Sequence, residues 1–394
     1  MTLDDDRMQV LHVMPNVSRA FGGPTESLIG YVQAARTQDI GVHVAAPSVS
    51  ASDKAWLHQQ LPETTFHLFT SAGQHAYVVA PGLWTWMWQQ VKRFDAVHVH
   101  GLFNPASSLS ALIGIARGVP TVMRPFGTLS RYTFSRRSTL KQLYFALLDR
   151  PALRRAAALH FTTEAERDEA NRLSIDFDER SAVVPPPWRG EAVTPNMEEK
   201  AGRPTVLYMS RLHPKKNVQG LLRAWTQVVA ARPDAQLWVA GDGDDDYVQQ
   251  LHDTVATHDL GDSVSFLGFV SGDEKKRVLR EAWTFALPSH QENFGVAVLE
   301  AVAAGLPVVI SGAVQLWSFI EENDLGRIVD RTDPAAIAEG LATVLADEAG
   351  RRRVAEEGPA AVREAFSLER VGEQLVEMYE SVLSTASSHD GCGD

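Results

Sequence analysis

Two carboxylates, Glu292 and Glu300, are separated by seven residues in a stretch that runs from Ser289-His290-Gln291 through Asn293-Phe294-Gly295 into the apolar run starting at Val296. The pattern predicts that Glu292 lies in the loop entering a helix. Glu300 then lies one turn inside that helix, four residues after Val296 and on the same face. The N–H groups of Asn293, Phe294 and Gly295 precede the first helical acceptor, so they offer donors for phosphate or sugar oxygens. Two acidic acceptors beside a set of amide donors suit a ligand that is part polyol and part anion. An acidic residue near a helix start is also ordinary dipole capping, so other positions must decide between the two readings.

Ser210-Arg211-Leu212-His213-Pro214-Lys215-Lys216-Asn217 supplies cations at such a position, directly after an apolar run. Arg211 has a planar fork for phosphate oxygens and Lys216 a point charge near a helix start, whereas Lys215 reads as a solvated loop residue. Phe21-Gly22-Gly23-Pro24 follows the first apolar run of the chain. Gly22 and Gly23 let backbone approach a ligand, and Pro24 is placed to open a helix, although a plain tight turn accounts for the same residues. Val97-His98-Val99-His100-Gly101 ends another run, with both rings on one face of the strand. His100 reads as a lone histidine near a ligand or as a satisfied core residue. Zinc would need further ligands that the sequence does not identify. Gly241-Asp242-Gly243-Asp244-Asp245-Asp246 is an incomplete dinucleotide fingerprint, read as a loop with Asp capping the next helix.

The elements that must position these residues alternate. Apolar runs at Gln9–Met14, Gly41–Ala46, Ala96–His100, Pro120–Met123, Ala158–Thr162 and Ala182–Val184 predict strands, and the first helix is expected over Pro24–Arg36. Pro185-Pro186-Pro187 marks a boundary, and Gly190–Arg203 reads as a linker. The alternation then restarts, with strands expected at Thr205–Met209, Gln236–Ala240, Val264–Leu267, Trp283–Leu287, Pro307–Ile310 and Gly326–Val329. The helices expected among them are Val218–Ala231, Asp245–Thr257, Asp273–Glu281, Val296–Ala304 and Pro334–Ala346, with Leu368–Leu383 closing the chain. The expected architecture is α/β. Two doubly wound domains (1–188 and 189–365) face each other across a cleft, a helix at 366–386 packs back on the first, and 387–394 is a disordered tail. Ligands bind at the carboxyl ends of such strands.

Composition narrows the class. The 394 residues are 44% hydrophobic and 22% charged, and the single cysteine, Cys392, excludes a disulfide framework or a cysteine-based metal site. No apolar run reaches the roughly 20 residues that span a bilayer, and the acidic Met1–Arg7 has no hydrophobic signal region. The expected location is the cytoplasm. Charge is uneven: residues 1–190 carry 19 Lys+Arg against 16 Asp+Glu, and the remainder 18 against 33, so the total of −12 comes from the second half. Within 124–155, eight basic residues (Arg124, Arg131, Arg136, Arg137, Lys141, Arg150, Arg154 and Arg155) surround one acid, Asp149, with aromatics and leucines interleaved. That segment is either a solvated helix with snorkelling stems or a peripheral contact with an anionic membrane at its inner face. An acidic chain without a nucleic-acid-binding module argues against nucleic acid.

Taken together these residues resemble the retaining glycosyltransferases of family 4, which have the GT-B fold. The likeness extends over nearly the whole chain and is most specific at Ser210–Asn217 and Glu292–Glu300. The Gly101-Leu102-Phe103 and Arg124–Leu129 stretches are similar to members that build bacterial surface polysaccharides. The resemblance implies a nucleotide-sugar donor, UDP- or GDP-linked, a glycan or lipid-linked acceptor, and neither metal nor cofactor. It implies that Arg211 and Lys216 neutralise the leaving diphosphate and that Glu292 binds hydroxyls of the transferred sugar. The amides of Asn293, Phe294 and Gly295, with Val296, would hold sugar and phosphate oxygens, and Glu300 the ribose. Gly22 and Gly23 would approach the diphosphate, His100 the donor sugar, and Phe269 and Val270 the base, with Arg124 a further substrate-binding residue. Phe126-Gly127 stands where related sequences often carry Arg-Gly, which bears on acceptor contacts. Alternatives are a GT-B epimerase or phosphorylase and a non-catalytic nucleotide-sugar-binding relative; a two-domain redox enzyme is disfavoured because no complete glycine fingerprint appears.

Overall fold

The computed structural model describes residues 7–72, 77–129, 139–172, 180–190, 193 and 202–390, with side chains to 385. It divides into two compact units, residues 1–189 with 366–394, and residues 190–365.

The first unit is a seven-stranded parallel sheet in the order β3-β2-β1-β4-β5-β6-β7. The strands are β1 (Gln9–Val13), β2 (Gly41–Pro47), β3 (Thr65–Phe69), β4 (Ala96–His100), β5 (Thr121–Arg124), β6 (Ala158–Phe161) and β7 (Ser181–Val183). Every residue of β1, β4, β5 and β6 is buried, the pattern expected where helices cover both faces of a parallel sheet. The predicted strand list omits β3, because an edge strand of partly buried Thr, Phe and His residues has no continuous apolar run.

The helix Gly23–Thr37 and the last helix, Leu368–Asp390, share one core with β1 and β2. Val371, Leu375, Met378, Tyr379 and Val382 bury the expected 3.6-period stripe. A Cβ at Gly372 would stand 2.5 Å from the Ala34 carbonyl, so glycine permits the two helices to approach. The composition predicts an irregular tail from Ser387. The helix instead runs on to Asp390, its cooperativity carrying it through the polar residues; 391–394 lie outside the described residues.

The second unit repeats the plan with six parallel strands in the order β10-β9-β8-β11-β12-β13. These are β8 (Thr205–Met209), β9 (Gln236–Ala240), β10 (Val264–Gly268), β11 (Thr284–Leu287), β12 (Val308–Ser311) and β13 (Gly326–Val329). In both sheets strand order reverses beside the first strand, between β1 and β4 and between β8 and β11. Such switch points open a crevice at the strand carboxyl ends. Glu348–Phe366 is an additional helix that carries Pro359 inside it, the residue that hides it from a propensity reading. Among the described residues no helix is long and apolar enough to cross a membrane.

Candidate functional site

The loops after β8 and β11 are laced together. Asn217 adopts a left-handed conformation at φ 57°, a backbone state that Asn tolerates better than most residues. From there its side-chain amide donates to the carbonyls of Pro288 at 3.0 Å and Arg331 at 2.9 Å. The His290 amide donates to the Lys215 carbonyl at 2.8 Å, and His213 Nδ1 caps the Pro214–Lys216 turn by accepting from the Lys215 amide at 3.1 Å. These clips bring Lys216 Nζ onto Glu292 Oε2 in an ion pair. The two side chains are only 15% and 19% exposed, so each charge depends on the other. Arg211 is exposed, and among the described residues its guanidinium forms no ion pair.

Glu292 is fixed from a second side. Its amide donates to the Ala313 carbonyl at 3.0 Å, and its carbonyl accepts from Gln315 at 3.2 Å. Gly295 then turns the chain into the helix Val296–Ala303 at φ 89°, packed so closely that a Cβ would meet Val314 Cγ1 at 3.1 Å. Among the described residues no main-chain carbonyl takes the N–H groups of Asn293 or Gly295. Asn293 Oδ1 and Ser289 Oγ are buried without a partner. Glu300 pairs with Lys275 at 2.7 Å, a partner that sequence reading missed because Lys275 sits on an unremarkable charged helix. At the end of β10, Phe269 is 73% exposed while Val270 is buried, so one aromatic face stands in solvent where a base could stack.

The glycines at 241 and 243 have a packing role. A Cβ on either would stand 2.0 or 2.2 Å from the carbonyls of Ser210 or Leu212, and Asp244 caps the following helix as expected.

At the first unit's switch point Gly22 has φ 68° and Gly23 begins the helix with Pro24 behind it. A Cβ at either glycine would meet nothing within 4 Å, so the turn borders open space. His100 differs from the expectation of a lone histidine. It is 0% exposed and belongs to a cluster with His12, His98 and His160, fully buried in the same core. His12 and His160 are polar residues in the interior of mostly apolar strands, and that is the signal by which they could have been found. Burial and the nearby Arg124 charge hold these rings neutral, with His12 lowered to about 3 and the others also well below the ordinary range. Ring nitrogens of His12, His98 and His100 lie within 4.8 Å of one another, a spacing a metal ion could use. His12 and His100 are already hydrogen-bonded to each other, and the nitrogens of His98 to Tyr379 and His160.

Arg124, expected to bind substrate, is 2% exposed, its guanidinium 4.5 Å over Tyr31 and 4.4 Å over Phe126. The following turn holds Phe126 and Gly127 at positive φ. The buried carboxylate of Glu166 pins it by accepting from the amides of Gly127 at 2.5 Å and Thr162 at 2.7 Å. Arg131, Arg136 and Arg137 of the basic segment lie outside the described residues.

Two doubly wound parallel sheets with polar loops at both switch points define a GT-B architecture, and comparison with known proteins agrees. Residues 193–361 match the family described as glycosyl transferases group 1, and residues 22–187 match the glycosyl transferase 4-like domain. The chain belongs to the GT-B glycosyltransferases of family-4-like type. An uncharacterized glycosyltransferase of Methanocaldococcus jannaschii is 34% identical over 181 residues, 45% of each chain. The phosphatidyl-myo-inositol mannosyltransferase of Mycobacterium leprae is 28% identical over 75% of each. Among solved structures, Anabaena HepE in complex with UDP and glucose superposes with a TM-score of 0.75 at 20% identity, covering 95% of this chain and 100% of that one. Sucrose-phosphate synthase from Thermosynechococcus elongatus superposes at 0.74 with 19% identity, covering 96% and 100%.

Proposed function

We propose that this glycosyltransferase moves a hexose-type sugar from a UDP- or GDP-linked donor to a glycan or lipid-linked acceptor, with retention at the anomeric carbon and without a metal. The observation that carries the reading is the half-buried Lys216–Glu292 pair at the β8/β11 switch point. A pyrophosphate entering there takes Lys216 as its counter-ion, with the exposed Arg211 adding a second cation. Glu292 is thereby released to accept hydroxyls of the sugar. As the bond from anomeric carbon to phosphate oxygen breaks, negative charge grows where these cations already stand. The acceptor oxygen bonds to the same face of that carbon and gives its proton to the departing phosphate. The Asn293 and Gly295 amides hold sugar and phosphate oxygens, Glu300 the ribose, and Phe269 stacks on the base. The relatives' names support the donor class, since one similar protein is a GDP-mannose-dependent mannosyltransferase of Corynebacterium glutamicum, 32% identical over 185 residues.

A lipid-linked acceptor would bring the protein to a membrane surface. Leu140, Leu143 and Leu147 are exposed along one helical face, and Arg150, Arg154 and Arg155 are exposed on the same segment, which favours peripheral contact with anionic lipid.

The test is a thermal-shift screen with UDP-, GDP- and ADP-sugars, followed by product analysis with the donor that binds. One donor should raise the melting temperature in proportion to its affinity, and that shift should vanish in Lys216→Ala. A donor altered without any acceptor would mean an epimerase, and binding without release of nucleotide a non-catalytic relative.

A further inference from the structure

The histidines of the first sheet form an ordered line whose direction can be derived. His160 Nε2 lies 2.7 Å from the Val184 carbonyl, which has no proton to give, so Nε2 is the donor. In a neutral ring Nδ1 is then a lone pair, and His98 Nε2 must donate to it at 3.1 Å. His98 Nδ1 in turn accepts the phenol proton of Tyr379 at 2.8 Å. The Tyr379 oxygen accepts from His12 Nε2 at 3.4 Å, and His12 Nδ1 accepts from His100 Nε2 at 2.9 Å. His100 Nδ1 comes last, a buried lone pair with no partner.

Across the strand pair, His100 and Arg124 are register partners at the carboxyl ends of β4 and β5. Arg124 Nε and Nη1 are also buried without partners. Phe126, held at φ 56°, lies against both, its ring centroid 5.7 Å from that of His100 and 4.4 Å from the guanidinium carbon. A hydroxyl answers this pair, since it donates to the imidazole lone pair and accepts from the guanidinium. A fully ionised phosphate or carboxylate would face the lone pair without a proton, and an ammonium would face Arg124.

We propose that Val184, His160, His98, Tyr379, His12 and His100 form a one-way hydrogen-bond chain that holds His100 Nδ1 as a proton-free acceptor for a sugar hydroxyl. His12, His98, His160 and Tyr379 are positioning residues, acting through His100. The hydroxyl half rests on the glycosyltransferase reading above, whereas the chain itself does not.

Long-range proton–nitrogen NMR of the histidine-labelled full chain, free of ligand and near neutral pH, tests the chain without any activity. All four rings should carry the proton on Nε2. A proton on Nδ1 of any of them, or an imidazolium, overturns it. Tyr379→Phe keeps the ring but removes the link, which frees His12 to place its proton on Nδ1 and shifts His100 to Nδ1–H. An unchanged His100 in that variant also overturns the chain. Adding UDP-glucose, GDP-mannose or the free sugars should move the His100 Nδ1 resonance. With whichever donor is turned over, Tyr379→Phe should raise KM roughly threefold to tenfold with kcat nearly unchanged, the effect of one hydrogen bond. No response of His100 to any of these compounds would mean that water alone fills the position and would overturn the hydroxyl half. If no donor is turned over at all, the functional reading fails while the tautomer pattern still decides the chain.

Discussion

The two sheets have the same strand order and reverse direction at equivalent places, yet they fill their switch points with opposite chemistry. At β1/β4 the polar side chains are buried neutral rings that bond to one another. At β8/β11 they are formal charges, Lys216 against Glu292 and Lys275 against Glu300, each partly open to solvent. A neutral network can be enclosed because its groups satisfy one another at modest desolvation cost. Charges that keep some contact with solvent are not sealed in, so a ligand phosphate can replace one partner without leaving the other stranded in an apolar interior. Burial therefore separates a region that holds shape from one suited to exchanging partners.

The sharpest way to break this comparison is at Lys216. Lys216→Ala should lower turnover roughly 10- to 200-fold, the worth of one hydrogen bond to a charged group. Steady-state kinetics on protein shown by circular dichroism to be folded would read it, and wild-type rates would refute the role. In denaturant titrations, the Lys216→Ala/Glu292→Ala pair should be more stable than Lys216→Ala alone, because the single change leaves a half-buried carboxylate uncompensated.

Acid should separate the units next. His12 falls from its ordinary value to about 3 on burial, and His98, His100 and His160 shift the same way. From about pH 6.5 down toward 3 the unfolded chain takes up protons that the native rings refuse, so stability drains as pH falls. The loss should reach several kcal/mol and should appear first as hydrogen exchange in β1, β4 and β6; equal acid sensitivity of both sheets would contradict it.

Asp149 sharpens the same contrast with the opposite sign. Burial raises its carboxyl to about 6, against hydrogen bonds from Ser108 and the Phe103 amide. Between about pH 4 and 6 the native state keeps a proton that the unfolded chain has lost, so this contribution shrinks as pH rises, by on the order of 2–3 kcal/mol in total. The pH dependence of stability in an Asp149→Leu variant should lack that component. The smallest effect is expected at Gly372→Ala, where the new methyl meets the Ala34 carbonyl and pushes the last helix outward. A loss of about 1–3 kcal/mol should be seen in thermal unfolding.

Most second-unit elements were legible to within a residue, because uninterrupted apolar runs bounded by Gly, Asp and Pro mark buried parallel strands and the helix starts between them. Lys216 and Glu292 were legible as charged residues of strand-end loops for a related reason. Each lies in the loop that follows such a run, and loops at strand carboxyl ends are where a doubly wound sheet places its polar groups. The place of His100 at a strand end was legible by the same rule, but its surroundings were not. Its partners come from β1, β6 and a helix more than 270 residues further on, and no local pattern encodes which rings will meet.

Periodicity, turn residues and charge type are local quantities, so the amino-acid order by itself determined the alternating architecture, the two-part division of the strands and the cations and carboxylates of the second sheet. Which charges pair, that Arg124 is enclosed, and that a tyrosine from the final helix completes a line of histidines were decided only by tertiary structure. Those outcomes depend on which strands lie side by side and how closely two helices approach, and burial then sets the protonation and direction of every bond along the line.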